Sequence, residues 1–246
     1  MTIDVRKVRT AALLMHFDAA WVARILDGGD LLLNDDEKAL FAPIDRRAFR
    51  ADEERKARAA AAVVDELPVA VAVAGLPRLF AFFTDPGFLV VIDQGRPLVE
   101  AVAAFLGRPA LIEGSIARAR RRRRSRGPFT LARGVDAERS LGVGSVALWT
   151  SLRASLGPDP AGAVMRGARV TWDLPHEGEV EGVVVDEALT DPRVAVCSQE
   201  LGVLLLAARS QGRDDLLGIA KLHGCDDDEA AALLLELQAD GLLASV

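Results

Sequence analysis

The stretch from Arg193 to Val246 constrains this chain more than any other. Arg193 to Cys197 alternates around Val194 and Val196, and Ser198 follows as a candidate N-cap. Residues 199–209 are apolar nearly all round, with Gln211-Gly212 as the stop. Asp214 to His223 opens with two acids at the positive end of the helix dipole and closes at Gly224. Asp227 to Asp240 sets Ala230, Leu233, Leu234 and Leu237 at the i, i+3, i+4, i+7 spacing of one buried stripe, before Gly241 releases the chain into Leu242-Leu243. A strand, three helices and a closing strand predict a winged helix-turn-helix layout.

The charge of this module argues against DNA. Its third helix, in the recognition position, begins Asp226-Asp227-Asp228-Glu229, and from Glu177 onward there are fifteen Asp and Glu against four Lys and Arg. A duplex is bound largely through Lys and Arg that displace its counterions, so an acidic module is repelled by it.

Length and composition set the outer bounds. A chain of 246 residues, half of it apolar, buries a real core in one large domain or two ordinary ones. Arginines crowd the middle and acids the end, which suggests two domains. The apolar region Ala59 to Phe88 is interrupted by Asp65-Glu66, Pro68, Pro77, Arg78 and Pro86, too often for a membrane span. The N-terminal run breaks at Asp18 and lacks a small-residue cleavage pattern. The expectation is a soluble, cytoplasmic protein whose two cysteines, Cys197 and Cys225, are reduced thiols.

The first hundred residues predict helices. Ala19 to Leu26 is periodic and stops at Gly28-Gly29; Asn34 with Glu37 is a capping box opening Asp35 to Phe41. Asp52 to Glu66 has strong helix propensity and ends ahead of Pro68. Leu79, Phe80, Phe82, Phe83, Phe88, Val91 and Phe105, in pieces divided by prolines, are expected in the core. A helix from Ala110 carries seven arginines between Arg118 and Arg126 and breaks at Gly127-Pro128. Two readings stand for that run: a solvated helix end whose cations complement the dipole, or a patch for an acidic partner, with Arg118, Arg121, Arg122, Arg123 and Arg124 as its contacts. Nucleic acid is the weaker ligand, because no aromatics are interleaved for stacking. Phe129 to Val135 reads as a strand, Gly144 to Leu156 as strand or helix, and Gly157-Pro158-Asp159-Pro160 as a linker. Arg169 to Leu174 and Gly182 to Glu187, around a turn at Pro175 to Gly178, complete a three-stranded sheet with Arg193 to Cys197. The fold class is therefore α+β: a helical domain over 1–127, a connector over 128–160 and a small winged-helix domain over 161–246.

Catalytic chemistry has no visible carrier. His16, His176 and His223 lie in different segments without ligand-like neighbours, and no P-loop, GxSxG, GxGxxG or HExxH is present. The expectation is a protein without a metal, a cofactor or catalytic residues of its own.

Residues 168–246, ending with Leu234, Leu237, Gly241, Leu242 and Leu243, resemble the PqqD-type RiPP recognition element, a winged-helix module that binds the leader of a ribosomally made peptide. The larger part is similar to the partner subunits of multinuclear non-heme iron-dependent oxidases of methanobactin-type cassettes, through Asp45-Arg46-Arg47-Ala48-Phe49-Arg50, Arg55, Arg58, Glu66-Leu67-Pro68 and Phe82-Phe83 with Phe88. The resemblance implies a non-catalytic partner that docks a precursor peptide in a hetero-oligomer while the iron enzyme oxidises it. Docking by strand addition would use Arg193, Val194, Ala195, Val196 and Cys197 as the edge, with Leu233 and Leu237 as the groove beside it. The alternative is a winged-helix regulator or nucleic-acid adaptor that uses the arginine run.

Overall fold

Prolines and acids at helix starts cut the N-terminal half into short helices, as the computed structural model shows; it describes residues 3–27, 33–50, 53–124, 130–174, 180–186 and 192–244. Asp4 and Asp18 cap α1 (Val5–Phe17) and α2 (Ala19–Leu26) by accepting from first-turn amides. The Asn34–Glu37 capping box opens α3 (Asp35–Ala39), and Glu37 also accepts from the Asp4 amide at 2.8 Å. After a 3-10 turn at Arg46–Arg50 come α4 (Glu53–Glu66), α5 (Pro68–Ala74), α6 (Leu76–Phe82), α7 (Pro86–Gln94) and α8 (Leu98–Leu106). Proline stands in the first turn of α5, α6 and α7, where its fixed φ suits a helix and its missing N–H costs nothing. The expected stops and starts at Gly28-Gly29 and Asp52 lie outside the described residues.

Two compact units result: Met1–Gly107 with Leu156–Arg169, and Arg108–Ser155 with Val170–Val246. In the first, Leu79, Phe82, Phe83, Phe88 and Val91 are buried as the spacing predicts, while Phe80 and Phe105, expected with them, are only half-buried; Trp21 joins the same core. Phe83 and Phe88 meet edge-to-face at 5.4 Å, and Trp21 Nε1 donates to Phe83 O at 2.8 Å. Pairs of this geometry add about 0.5–1.5 kcal/mol beyond area burial. The expected linker instead starts a helix: Asp159 caps α11 (Pro160–Met165), which packs on α4 and α5.

The second unit is built on α9 (Leu111–Arg124), β1 (Val135–Gly142), α10 (Ser145–Ser155), β2 (Val180–Asp186), β3 (Arg193–Cys197), α12 (Gln199–Ala207), α13 (Arg213–Leu222) and α14 (Asp227–Ala239). The strands form an antiparallel sheet in the order β1-β2-β3, with Ala137 opposite Val184 and Val184 opposite Ala195. The α+β class and the three C-terminal helices match the sequence reading. The first strand does not. Arg169 to Leu174 forms no strand; Arg169 donates instead to Val73 O at 3.0 Å, and its guanidinium occupies the space a side chain at Gly75 would need. The place beside β2 is taken by β1, whose charges at Asp136 and Glu138 disguised it. Residues 130–134 contribute only a bridge from Leu131 to Leu243, and 144–156 is resolved as helix α10. The turn at Pro175 to Gly178, the strand end at Glu187, Phe129 and Gly127-Pro128 lie outside the described residues. Because the sheet takes β1 from ahead of α11, the second unit is discontinuous, and the expected boundaries after residues 127 and 160 give way to 107, 155 and 169.

Candidate peptide-binding edge

The residues of β3 alternate apolar and small or charged, favour extended backbone, and stop where Ser198 turns to accept from the Leu201 amide at 3.2 Å. Gly182, opposite Cys197, makes that turn possible: a Cβ there would stand 2.6 Å from Ser198 O and 2.8 Å from Cys197 Sγ. Arg193, Ala195 and Val196 are exposed, Val196 by 55%, and Val194 and Cys197 are half-buried. As the last strand in the order, β3 pairs with β2 on one side only, and no other hydrogen bond reaches its backbone among the described residues. All five predicted edge residues therefore lie on one open strand. The Cys197 thiol pKa is pushed up, first by burial and then by the Glu181 carboxylate, both of which disfavour the thiolate.

The predicted groove wall is elsewhere. Leu237 is buried and Leu233 half-buried in a cluster formed by α12, α13 and α14 with Leu131, Val135 and Ala137, to which β3 contributes no residue. Ala244 N donates to Thr130 O at 2.8 Å and Ala132 N to Leu242 O at 3.0 Å, tying the chain after α14 to the β1 side. Helix α10 packs against β3. The structure thus corrects the pairing of Leu233 and Leu237 with the edge.

The arginine run is corrected in part as well. Successive side chains of a strand alternate between faces. Val135 and Ala137 turn to the apolar cluster, while Asp136 and Glu138 turn to α9. Arg118 Nε reaches Asp136 Oδ2 at 2.8 Å, and its Nη2 reaches Glu138 Oε2 at 2.9 Å and Ser115 Oγ at 2.8 Å. Arg122 Nη1 donates to Val135 O at 2.6 Å and faces Asp136 Oδ1 at 3.3 Å. Arg209 Nε donates to Asp136 Oδ1 at 2.7 Å and its Nη2 to Ala137 O. The Asp136 side chain has no exposed surface at all. Burial lowers the Arg209 pKa from its ordinary value, against the pull of Asp136. Arg118 and Arg122 are therefore internal counterions; Nε and Nη2 of Arg121 are buried, and Arg123 is exposed. The side chain of Arg124 and all of Arg126 lie outside the described residues. The reason is electrostatic: a carboxylate enters a sheet only with cations to meet it. Asp136, Glu138 and Arg209 went unrecognised in the sequence, although acids at 136 and 138, two apart and shortly after a run of arginines, were the available signal.

The histidines that are described stand apart. His16 packs against Phe49 with the rings tilted and their centroids 5.1 Å apart, and His223 is an exposed C-cap. No protein-family profile, curated protein or solved structure matches the chain.

Proposed function

We propose that this chain is a non-catalytic docking protein that takes the extended leader of a ribosomally made precursor peptide onto β3 and presents it to a multinuclear non-heme iron-dependent oxidase, with the second unit acting as a winged-helix, RRE-like recognition element. The observation that carries the reading is the state of β3: a terminal strand, largely exposed, with one flank open among the described residues. An added strand would gain main-chain hydrogen bonds there and lay alternate side chains beside Val194 and Val196. The acid excess from Glu177 onward favours a leader that carries Lys or Arg, through steering and complementarity. The nucleic-acid alternative has no comparable support, because Arg118 and Arg122 are committed to Asp136.

The test is a fluorescence-anisotropy titration of the full chain with a labelled leader peptide from the same gene cluster, repeated with Ala195→Pro. A fragment starting at Ala161 is unsuitable, because it lacks β1. Proline removes a backbone donor and fixes φ, so the expected result is loss of binding with an unchanged circular-dichroism spectrum. A variant that binds as well as the parent, or a leader that binds equally to a chain ending at Gly107, would overturn the reading.

A further inference from the structure

Helix α14 is apolar on more sides than the fold covers. Ala230 to Leu235 are six consecutive apolar residues, more than one full turn, so the middle of the helix has no polar side. A helix apolar all round is ordinarily enclosed on every side. Here Ala230, Leu234 and Leu237 are buried in the cluster shared with α12 and α13, while Leu235 stays 56% exposed and Ala232 and Ala239 are exposed with it. Their spacing sets these three one above another on a single outward stripe.

Part of the charge around that stripe does not serve the helix itself. At its start Asp226 and Glu229 form the capping box, and Asp227 pairs with Lys221, so those acids are used within the fold. Glu236 and Asp240 stand exposed at the other end, where no basic residue accompanies them in the last turn and carboxylates oppose the helix dipole. Asp228 is exposed in the first turn, in line with Ala232, Leu235 and Ala239. The apolar stripe is thus bracketed by carboxylates, with about 12 Å of helix axis between Asp228 and Glu236.

We infer that the outer face of α14 docks a basic amphipathic helix of a partner protein. Leucine-like residues of that helix lie on Ala232, Leu235 and Ala239, and its Lys or Arg residues meet Asp228 at one end and Glu236 and Asp240 at the other. The small side chains of Ala232 and Ala239 let a second helix approach closely, with Leu235 as the knob between them. Charge selects the occupant. A second copy of this chain would set carboxylate against carboxylate, and a nucleic acid or an anionic membrane surface would meet the same repulsion. A basic helix avoids that repulsion, and its cations offset the unfavourable charge at the end of α14. The stripe shares no residue with β3, so it stands or falls separately from the leader reading.

The probe is a fluorescein-labelled synthetic helix of about four turns, with leucines along one face and lysines toward both ends. It is titrated into the full chain by anisotropy, with the contacted amides mapped by nitrogen-15 NMR. Saturable binding is expected, with shifts concentrated at Ala232, Leu235 and Ala239. A scrambled peptide of the same composition, whose leucines no longer share a face, should bind about tenfold more weakly, and so should the original peptide to Leu235→Ser. Glu236→Lys combined with Asp240→Lys should weaken binding by a similar factor while raising the melting temperature, because cations suit that end of the helix; a purely structural role would move the two together. Ala195→Pro should leave the affinity unchanged. Equal affinity for the scrambled peptide, indifference to both the Leu235 variant and the paired lysine variant, shifts that map elsewhere, or loss of binding in a folded Ala195→Pro chain would each overturn the assignment.

Discussion

Along β1, the carbonyls of Val135 and Ala137 accept from Arg122 and Arg209, and Asp136 between them is enclosed by three guanidiniums; along β3, Val196 is 55% exposed and only β2 bonds to the backbone among the described residues. Both are end strands of one sheet. Free strand edges invite pairing with other chains, and proteins blunt them with charge, bulges or covering elements. Here one end strand has side-chain donors on carbonyls that share one side of it, while the other is left short and open. Placing Asp136 and its arginines out of water carries a desolvation cost that an apolar core would not. The contrast is between an end strand fixed by internal ion pairs and one whose outer flank carries no hydrogen bond among the described residues.

The largest expected effect tests the occupied strand. Asp136→Asn leaves Arg118, Arg122 and Arg209 around a neutral group, and breaking a buried ion cluster by one partner costs about 3–5 kcal/mol. Denaturant unfolding measures it; a cost below about 1 kcal/mol would mean that charge does not hold β1, and the contrast between the strands would lose its basis. Next in size is Leu237→Ala, expected to cost about 2–5 kcal/mol as a buried leucine. Since α14 packs away from β3, the folded variant should bind a leader as the parent does. Loss of binding with the fold intact would return α14 to the groove.

A carboxylate outside the sheet supplies a control for how ion-holding contacts respond to pH. The Glu37 pKa is depressed, first by the Asp4 amide and then by the Asn34 amide, both of which donate to its charged form. A depressed folded pKa stabilises the fold above the unfolded value of about 4.3 and loses that contribution as pH falls through the folded pKa. Glu37→Gln should therefore lower the melting temperature at pH 7, by an amount that shrinks as the pH is lowered through the folded pKa of Glu37; a pH-independent penalty would point to packing as the cause. The smallest effect on folding belongs to the open strand. Val196→Lys should change stability by less than about 0.5 kcal/mol, as exposed substitutions do, while a lysine on the edge weakens strand addition. Leader binding that survives Val196→Lys and Ala195→Pro together would move the site off β3.

Much of the second unit was legible because its signals are local. Ser198, Gly224, Asp226 with Glu229, and the stripe at Ala230, Leu234 and Leu237 each depend on residues within a turn or two, and the helices stand within two residues of where that pattern puts them. The edge strand was legible for the same reason. Its neighbours were not. Strand β1 reads as polar because Asp136 and Glu138 alternate with its apolar residues, and a buried carboxylate looks like a solvated one until its counterions are found on α9 and after α12. The arginine run read as surface by the same omission.

The sequence by itself determined the starts of α2, α3 and the three C-terminal helices, the burial of Phe82, Phe83 and Phe88, the acid excess of the last segment and the extended character of Arg193 to Cys197, since capping, periodicity and charge act over short distances. The tertiary structure alone decided that β1 flanks β2, that Arg118 and Arg122 turn inward, that α14 packs away from β3 and that residues 156–169 leave the second unit for the first. Strand order and ion pairing join residues far apart in the chain, and which partner wins depends on what the rest of the fold has already placed beside them.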